Sequence, residues 1–145
     1  MPSEFKHTRR IEFAETDMAG IVHFANFFRM MENTEHEFFR SLGFSIHEHE
    51  NGTTIGWPRV SVSCDFTRPL RFEDVVEIHL IVAEVRTRSI RYDFIFRNTA
   101  DGAEVARGTV TTVCATVDKT TGKLNAIPIP ERIREKIIAA ANAAS

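Results

Sequence analysis

With 145 residues, 43% apolar and 26% charged, the chain is long enough to bury a core without metal or disulfide staples, and it has the composition of a soluble globular protein of one domain over 1–145. A formal net charge of -2 excludes the broad positive field that would favour nucleic acid or an anionic membrane. Cys64 and Cys114 lack CxxC spacing, which argues against zinc and against a disulfide framework, and they are expected to be reduced and buried in a cytoplasmic protein.

Taken in order, Thr8 to Phe13 alternates polar and apolar residues and predicts a strand. Ala14 to Gly20 is small, acidic and glycine-bearing, and predicts a loop. From His23 to Leu42 the apolar positions Phe24, Phe28, Met31, Phe38 and Leu42 keep helical spacing, and Phe27, Met30 and Phe39 widen the stripe. Gly43 is a good stop. Such a helix is about 30 Å long and too aromatic to lie outside, so it requires a sheet to wrap it. No run reaches the ~18 apolar residues of a membrane span, and Met1 to His7 lacks the apolar core of a signal peptide.

Phe44 to Pro58 reads as a connecting loop with room for a short helix. Val60, Val62, Cys64 and Phe66 alternate with polar residues, as in a half-buried strand ended by Arg68-Pro69. Val76 to Arg86, Ile90 to Phe96 and Val105 to Val117 predict three more strands in an antiparallel meander. Pro130 then opens a terminal helix over Glu131 to Ala140. The fold class is α+β, one helix against one antiparallel sheet. That sheet covers one side of so apolar a helix and has open edges, so pairing with a second copy is expected.

Asp17 precedes the helix by one short turn. By itself it is a turn acid. Gly20 permits close backbone approach, Ile21 and Val22 make the entrance apolar, and a helix start offers unpaired N–H groups to a developing oxyanion. In that setting Asp17 should be partly desolvated and able to act as nucleophile or general base. Asn26 either braces the Asp17 loop or caps the first helical turn. Glu35 shares the apolar stripe and is expected to point inward, and Glu32 and Glu35 are candidates to support the site. Arg86 and Arg88, with Arg91, form a basic cluster at a turn, either a solvated hairpin tip or a phosphate contact. Arg59 is a weaker phosphate candidate. His36, His47 and His49 lack a third ligand of matching geometry, so no metal site is expected. No phosphate-cradling P-loop and no Gly-x-Ser-x-Gly nucleophile motif occurs.

Arg10 to Phe13, Asp17-Met18-Ala19-Gly20-Ile21-Val22 and Asn26 together resemble the 4-hydroxybenzoyl-CoA thioesterase family of hotdog-fold enzymes. The likeness continues through Val62 to Cys64, Asp74 to Val76, Arg86 to Ser89 and Leu124 to Ile127. It implies a hotdog fold with sheets paired across a homodimer or homotetramer. It also implies hydrolysis of an acyl-CoA thioester, with coenzyme A as part of the substrate and no further cofactor. By this resemblance Asp17 matches the catalytic carboxylate, and Phe24 the residue whose backbone N–H polarises the thioester carbonyl. His23 stands where a large aromatic is familiar, and its N–H is a second candidate donor. Gly20, Val22, Asn26, Arg59, Arg86, Arg88 and Ser89 are the implied substrate contacts. The lining residues Phe24, Phe27, Phe28 and Trp57 suit an aromatic or medium-chain acyl group. The rival readings are a non-catalytic acyl-CoA-binding module and a thioesterase for acyl carrier protein.

Overall fold

The computed structural model describes residues 3–50 and 52–144, without the side chains of 50 and 141–144. The elements are β1 (Glu4–Arg10), a 3-10 turn at Phe13–Glu15, α1 (Ala25–Ser41), β2 (Glu48–Glu50), β3 (Thr53–Gly56), β4 (Arg59–Phe66), β5 (Val75–Val85), β6 (Ser89–Asn98), β7 (Glu104–Val113), β8 (Ala115–Val117), β9 (Leu124–Ala126) and α2 (Glu131–Ala144). Five strands form an antiparallel sheet in the order β1-β5-β6-β7-β4, and β2-β3-β8-β9 form a smaller sheet. The long helix lies against the larger sheet, in the wrapped-helix layout of a hotdog fold. No helix among the described residues is long and apolar enough to cross a membrane.

Helix and sheet meet through the stripe that the spacing predicts. Phe27, Met30, Met31, Phe38 and Phe39 are buried on α1, against Ile78, Leu80, Tyr92, Phe94 and Phe96 of the central strands. Fully burying each such side chain contributes about 1.5–3 kcal/mol, so this contact dominates the fold. Gly43 adopts φ 89°, and the Phe44 N–H returns to the Phe39 carbonyl at 2.9 Å, closing the helix as a left-handed cap does. Ile129 just ahead of α2 and Ile133 and Ile137 on it supply a second buried stripe.

Three elements differ from the sequence expectation. The run Val105 to Val117 breaks at Cys114, whose N–H turns to the Arg88 carbonyl at 2.7 Å, and β8 leaves the larger sheet to pair with β3. The stretch 44–58 holds the short strands β2 and β3 rather than a helix, and β9 completes their sheet. β4 is an edge strand, not a half-buried one, with Val60 60%, Val62 49% and Phe66 46% exposed. Its alternation marks a face that the single chain leaves uncovered. Cys114 is buried, while Cys64 on that edge is half-buried; the two form no disulfide, and desolvation, with Asp65, pushes the Cys64 thiol up to about 11.

One ion pair fastens α1 to the edge strand. Arg59 on β4 grips the Glu35 carboxylate with two nitrogens, at 2.5 Å and 3.4 Å, and donates to the Trp57 carbonyl at 2.8 Å. Glu35 is 2% exposed, and burial outweighs the Arg59 cation and pushes its pKa up to about 7. A carboxyl that binds its proton more tightly folded than unfolded favours the fold at acid pH. That contribution is complete below the unfolded value of 4.5 and is lost as pH rises through about 7.

Two predictions follow from this packing. In urea titrations between pH 5 and pH 8 the wild type should lose on the order of 3 kcal/mol of unfolding free energy relative to Glu35→Gln; parallel pH profiles would contradict the assignment. Gly108 on β7 faces Met31, and a Cβ there would collide with the Met31 methyl and lie 2.9 Å from the Ser63 carbonyl oxygen. Gly108→Ala should therefore destabilise the protein by about 1–3 kcal/mol in the same assay.

Candidate active site

The segment before α1 is a small closed loop. The Asp17 N–H donates to the Ile21 carbonyl and the Gly20 N–H to the Asp17 carbonyl, each at 2.9 Å, with Gly20 at φ 79°. Glycine fits that left-handed turn without strain. Val22 pairs back with Thr16, and its N–H donates to the Leu70 carbonyl at 2.8 Å, which docks the loop beside the end of β4. The Asp17 carboxylate accepts from the Ala19 N–H at 2.9 Å, which fixes its direction.

The Glu15 carbonyl organises the helix start. It accepts the His23 N–H at 2.9 Å and the Asn26 side-chain amide at 2.8 Å. Glu15 is held in turn by Arg9, at 2.6 Å and 2.7 Å, and its carboxylate accepts the Glu12 N–H at 2.8 Å. The Ala25 N–H meets His23 Nδ1 at 3.2 Å, and the Asn26 and Phe27 N–H groups turn to the carbonyls of His23 and Phe24. The Phe24 N–H alone in this run has no acceptor among the described residues. A free donor at the positive end of a helix is a site for negative charge.

Asp17 and Phe24 line one hollow of about 560 Å3, whose walls include Val22, Phe27, Phe66 and Leu70. Asp17 and the residue that bears the free N–H thus border the same largely apolar space. Arg68 also lines the hollow, with no side-chain partner among the described residues, and places a cation at its rim. In the sequence Arg68-Pro69 reads only as a strand ending. What brings the pair to Asp17 is the long-range bond from Val22 to Leu70, which no local pattern announces.

Several expectations are corrected. His23 is not a second oxyanion donor, because its N–H is spent on Glu15, and its exposed ring stacks on Phe24 at 4.8 Å. Asn26 is committed to bracing the loop. Arg59 serves the buried Glu35, since a carboxylate out of water needs a counterion more than an exposed arginine needs a phosphate. Trp57 packs on Phe39 at 5.5 Å, away from the hollow. Asp17 is exposed in the single chain rather than desolvated. Gly20 is a turn residue, and Val22 a wall of the hollow.

The basic turn lies elsewhere. Arg86 and Ser89 border a hollow of about 200 Å3 with Glu84, Arg91 and Thr111. Arg86 pairs with Glu84 at 2.8 Å, and Arg91 reaches the same carboxylate at 3.5 Å. The Arg88 side chain has no partner among the described residues. This turn follows the end of β5, while the Asp17 loop is tied to its beginning through Ile11 and Asp74. By strand rise the two lie about 30 Å apart within one chain.

Comparison with known proteins agrees with this architecture. Residues 11–137 match the family model of the thioesterase-like superfamily. A putative esterase of Aquifex aeolicus is 35% identical over 63% of this chain and 70% of its own. The 4-hydroxybenzoyl-CoA thioesterase of Pseudomonas sp. is 30% identical over 67% of this chain and 70% of its own. A solved gentisyl-coenzyme A thioesterase superposes with a TM-score of 0.76 at 30% identity, covering 90% of this chain and 99% of that one. With the wrapped helix, the family model and these relatives in agreement, the chain belongs to the thioesterase-like superfamily and is a thioester hydrolase acting on acyl-CoA.

Proposed function

We propose that the protein hydrolyses the thioester of a ring-hydroxylated aromatic acyl-CoA, with Asp17 as the reacting carboxylate and the Phe24 N–H as oxyanion donor. The observation that carries this reading is that Asp17 and Phe24, whose N–H is unengaged among the described residues, line one hollow. The ring-hydroxylated acyl group is supported by the relatives, whose names specify 4-hydroxybenzoyl-CoA and gentisyl-CoA.

The substrate carbonyl oxygen would accept the Phe24 N–H, which polarises the carbon. An Asp17 oxygen attacks that carbon, the C–S bond breaks, and coenzyme A leaves as a thiolate that takes a proton from solvent. Water then hydrolyses the mixed anhydride, releasing the carboxylic acid and restoring Asp17. In the variant of this route, Asp17 takes the proton of a water that attacks directly. One well-placed oxyanion donor supplies about 2.7–4 kcal/mol. Neither route needs a bound cofactor, since coenzyme A enters with the substrate.

A second copy would supply the rest of the site. The Phe66 end of β4 borders the Asp17 hollow, while its Arg59 end pairs with Thr112, next to the β6 end that carries Ser89. Two β4 edges joined antiparallel about a two-fold axis set the partner's arginine turn at the Asp17 end of this protomer. The exposed Val60, Val62 and Phe66 would be covered by that pairing, and Asp17 would lose its solvent.

Thiol release from 4-hydroxybenzoyl-CoA tests the chemistry. Asp17→Asn should lower kcat at least about 100-fold with KM nearly kept; equal rates for the two proteins would reject the mechanism. Arg88→Ala should raise KM for the CoA ester about tenfold and leave the matching pantetheine ester little changed. A like response of both esters would remove the turn from the site.

A further inference from the structure

The Arg86 to Ser89 turn holds a shape that its own residues do not enforce. Arg86, Thr87 and Arg88 join β5 to β6, and the Arg86 N–H donates to the Ser89 carbonyl at 2.8 Å. Short links between antiparallel strands usually place a residue at positive φ, so that the twist of the turn matches the strands; turns at negative φ splay them. Thr87 and Arg88 lie at negative φ, since Glu73 is the one non-glycine residue at positive φ among the described residues. The link holds no Gly, Asn or Pro that would favour a turn by itself.

The shape is imposed from outside. The Cys114 N–H donates to the Arg88 carbonyl at 2.7 Å, and the Ile129 N–H to the Thr87 carbonyl at 2.9 Å. Arg134 on α2 completes the set, with one guanidinium nitrogen donating to the Arg86 carbonyl at 2.5 Å and the Thr87 carbonyl at 3.3 Å. The buried Ile133 and Ile137 seat α2 and so bring Arg134 to the turn. All three carbonyls of the link are thereby engaged by segments far along the chain, while Arg86, Thr87 and Arg88 are exposed. A backbone fixed by distant elements, with its side chains left in solvent, is how a rigid scaffold presents binding groups.

We propose that Arg134 is a positioning residue, which holds this turn so that the Arg88 side chain meets the phosphates of coenzyme A. The proposal rests on the nucleotide role given to the turn above. Arg86 is paired with Glu84, which leaves Arg88 as the cation of the link with no partner among the described residues. A guanidinium reads phosphate through a planar fork of donors, so a turn that wanders loses the contact with its charge intact. Arg134 spends its donor on main-chain oxygens and acts through Arg88.

Calorimetry with free coenzyme A and with pantetheine, on the full chain, tests this without requiring turnover. Arg134→Met keeps the stem of the side chain and removes the donor. It should weaken coenzyme A about threefold, Arg88→Ala about tenfold, and the double variant no more than Arg88→Ala alone, with pantetheine unchanged throughout. With 4-hydroxybenzoyl-CoA, Arg134→Met should raise KM about threefold and keep kcat. In 15N relaxation the order parameters of the Thr87 and Arg88 amides should fall from about 0.85 to below about 0.6 in Arg134→Met. Unchanged coenzyme A affinity in Arg134→Met, an equal loss for pantetheine, or unaltered Thr87 and Arg88 amides would each overturn the proposal. So would a double variant weakened about thirtyfold, which would make Arg134 an independent contact. Coenzyme A binding indifferent to Arg88→Ala would end the nucleotide reading and this proposal together. The expected binding pattern without hydrolysis of any ester would sink the proposed hydrolysis alone.

Discussion

Everything in this molecule depends on covering one phenylalanine-rich helix. α1 carries Phe27, Met30, Met31, Phe38 and Phe39 at 3% exposure or less, and this surface would be insupportable in water. The curved sheet is the answer, and its order β1-β5-β6-β7-β4 places the longest, most apolar strands at its centre. The helix start then projects beyond the packed region, where its backbone donors meet the loop that delivers Asp17. Burial of the helix body and availability of its end are two aspects of one arrangement.

The geometry at that end rests on a backbone oxygen. The Glu15 carbonyl takes the His23 N–H and the Asn26 amide together, and this leaves the Phe24 N–H as the donor without work. A helix end ordinarily has four such donors and disposes of them through caps. Here a loop carbonyl, a histidine ring and the helix's own first carbonyls dispose of its neighbours, so the free donor is singled out rather than one of a set. The side chain of Glu15 is fixed by Arg9, so a bidentate ion pair on β1 sets the position of groups about a dozen residues away.

The parts of this structure legible in the sequence are those governed by local periodicity. α1, β5, β6, α2 and the loop carrying Asp17 follow from spacing, glycine and proline placement. What was not legible depends on distant contacts. The break at Cys114 arises from hydrogen bonds to Arg88 and Ile127, and nothing in Val105 to Val117 marks it. The half-buried reading of β4 failed because alternation reports an apolar face without saying whether the same chain covers it. Arg59 looked like a phosphate ligand because its partner, Glu35, lies 24 residues earlier. A Phe24 N–H role is implied by family likeness, whereas the loss of the His23 N–H depends on a contact with Glu15 that only the folded loop creates.

On the two-fold arrangement proposed above, the separation of about 30 Å between the Asp17 loop and the Arg86 to Ser89 turn has a genetic consequence. Each working centre would combine the acid of one polypeptide with the cations of another. Two alleles, one defective in the acid and one in the turn, could then complement each other. A mixed dimer of such defective copies would carry one centre built wholly from undamaged halves.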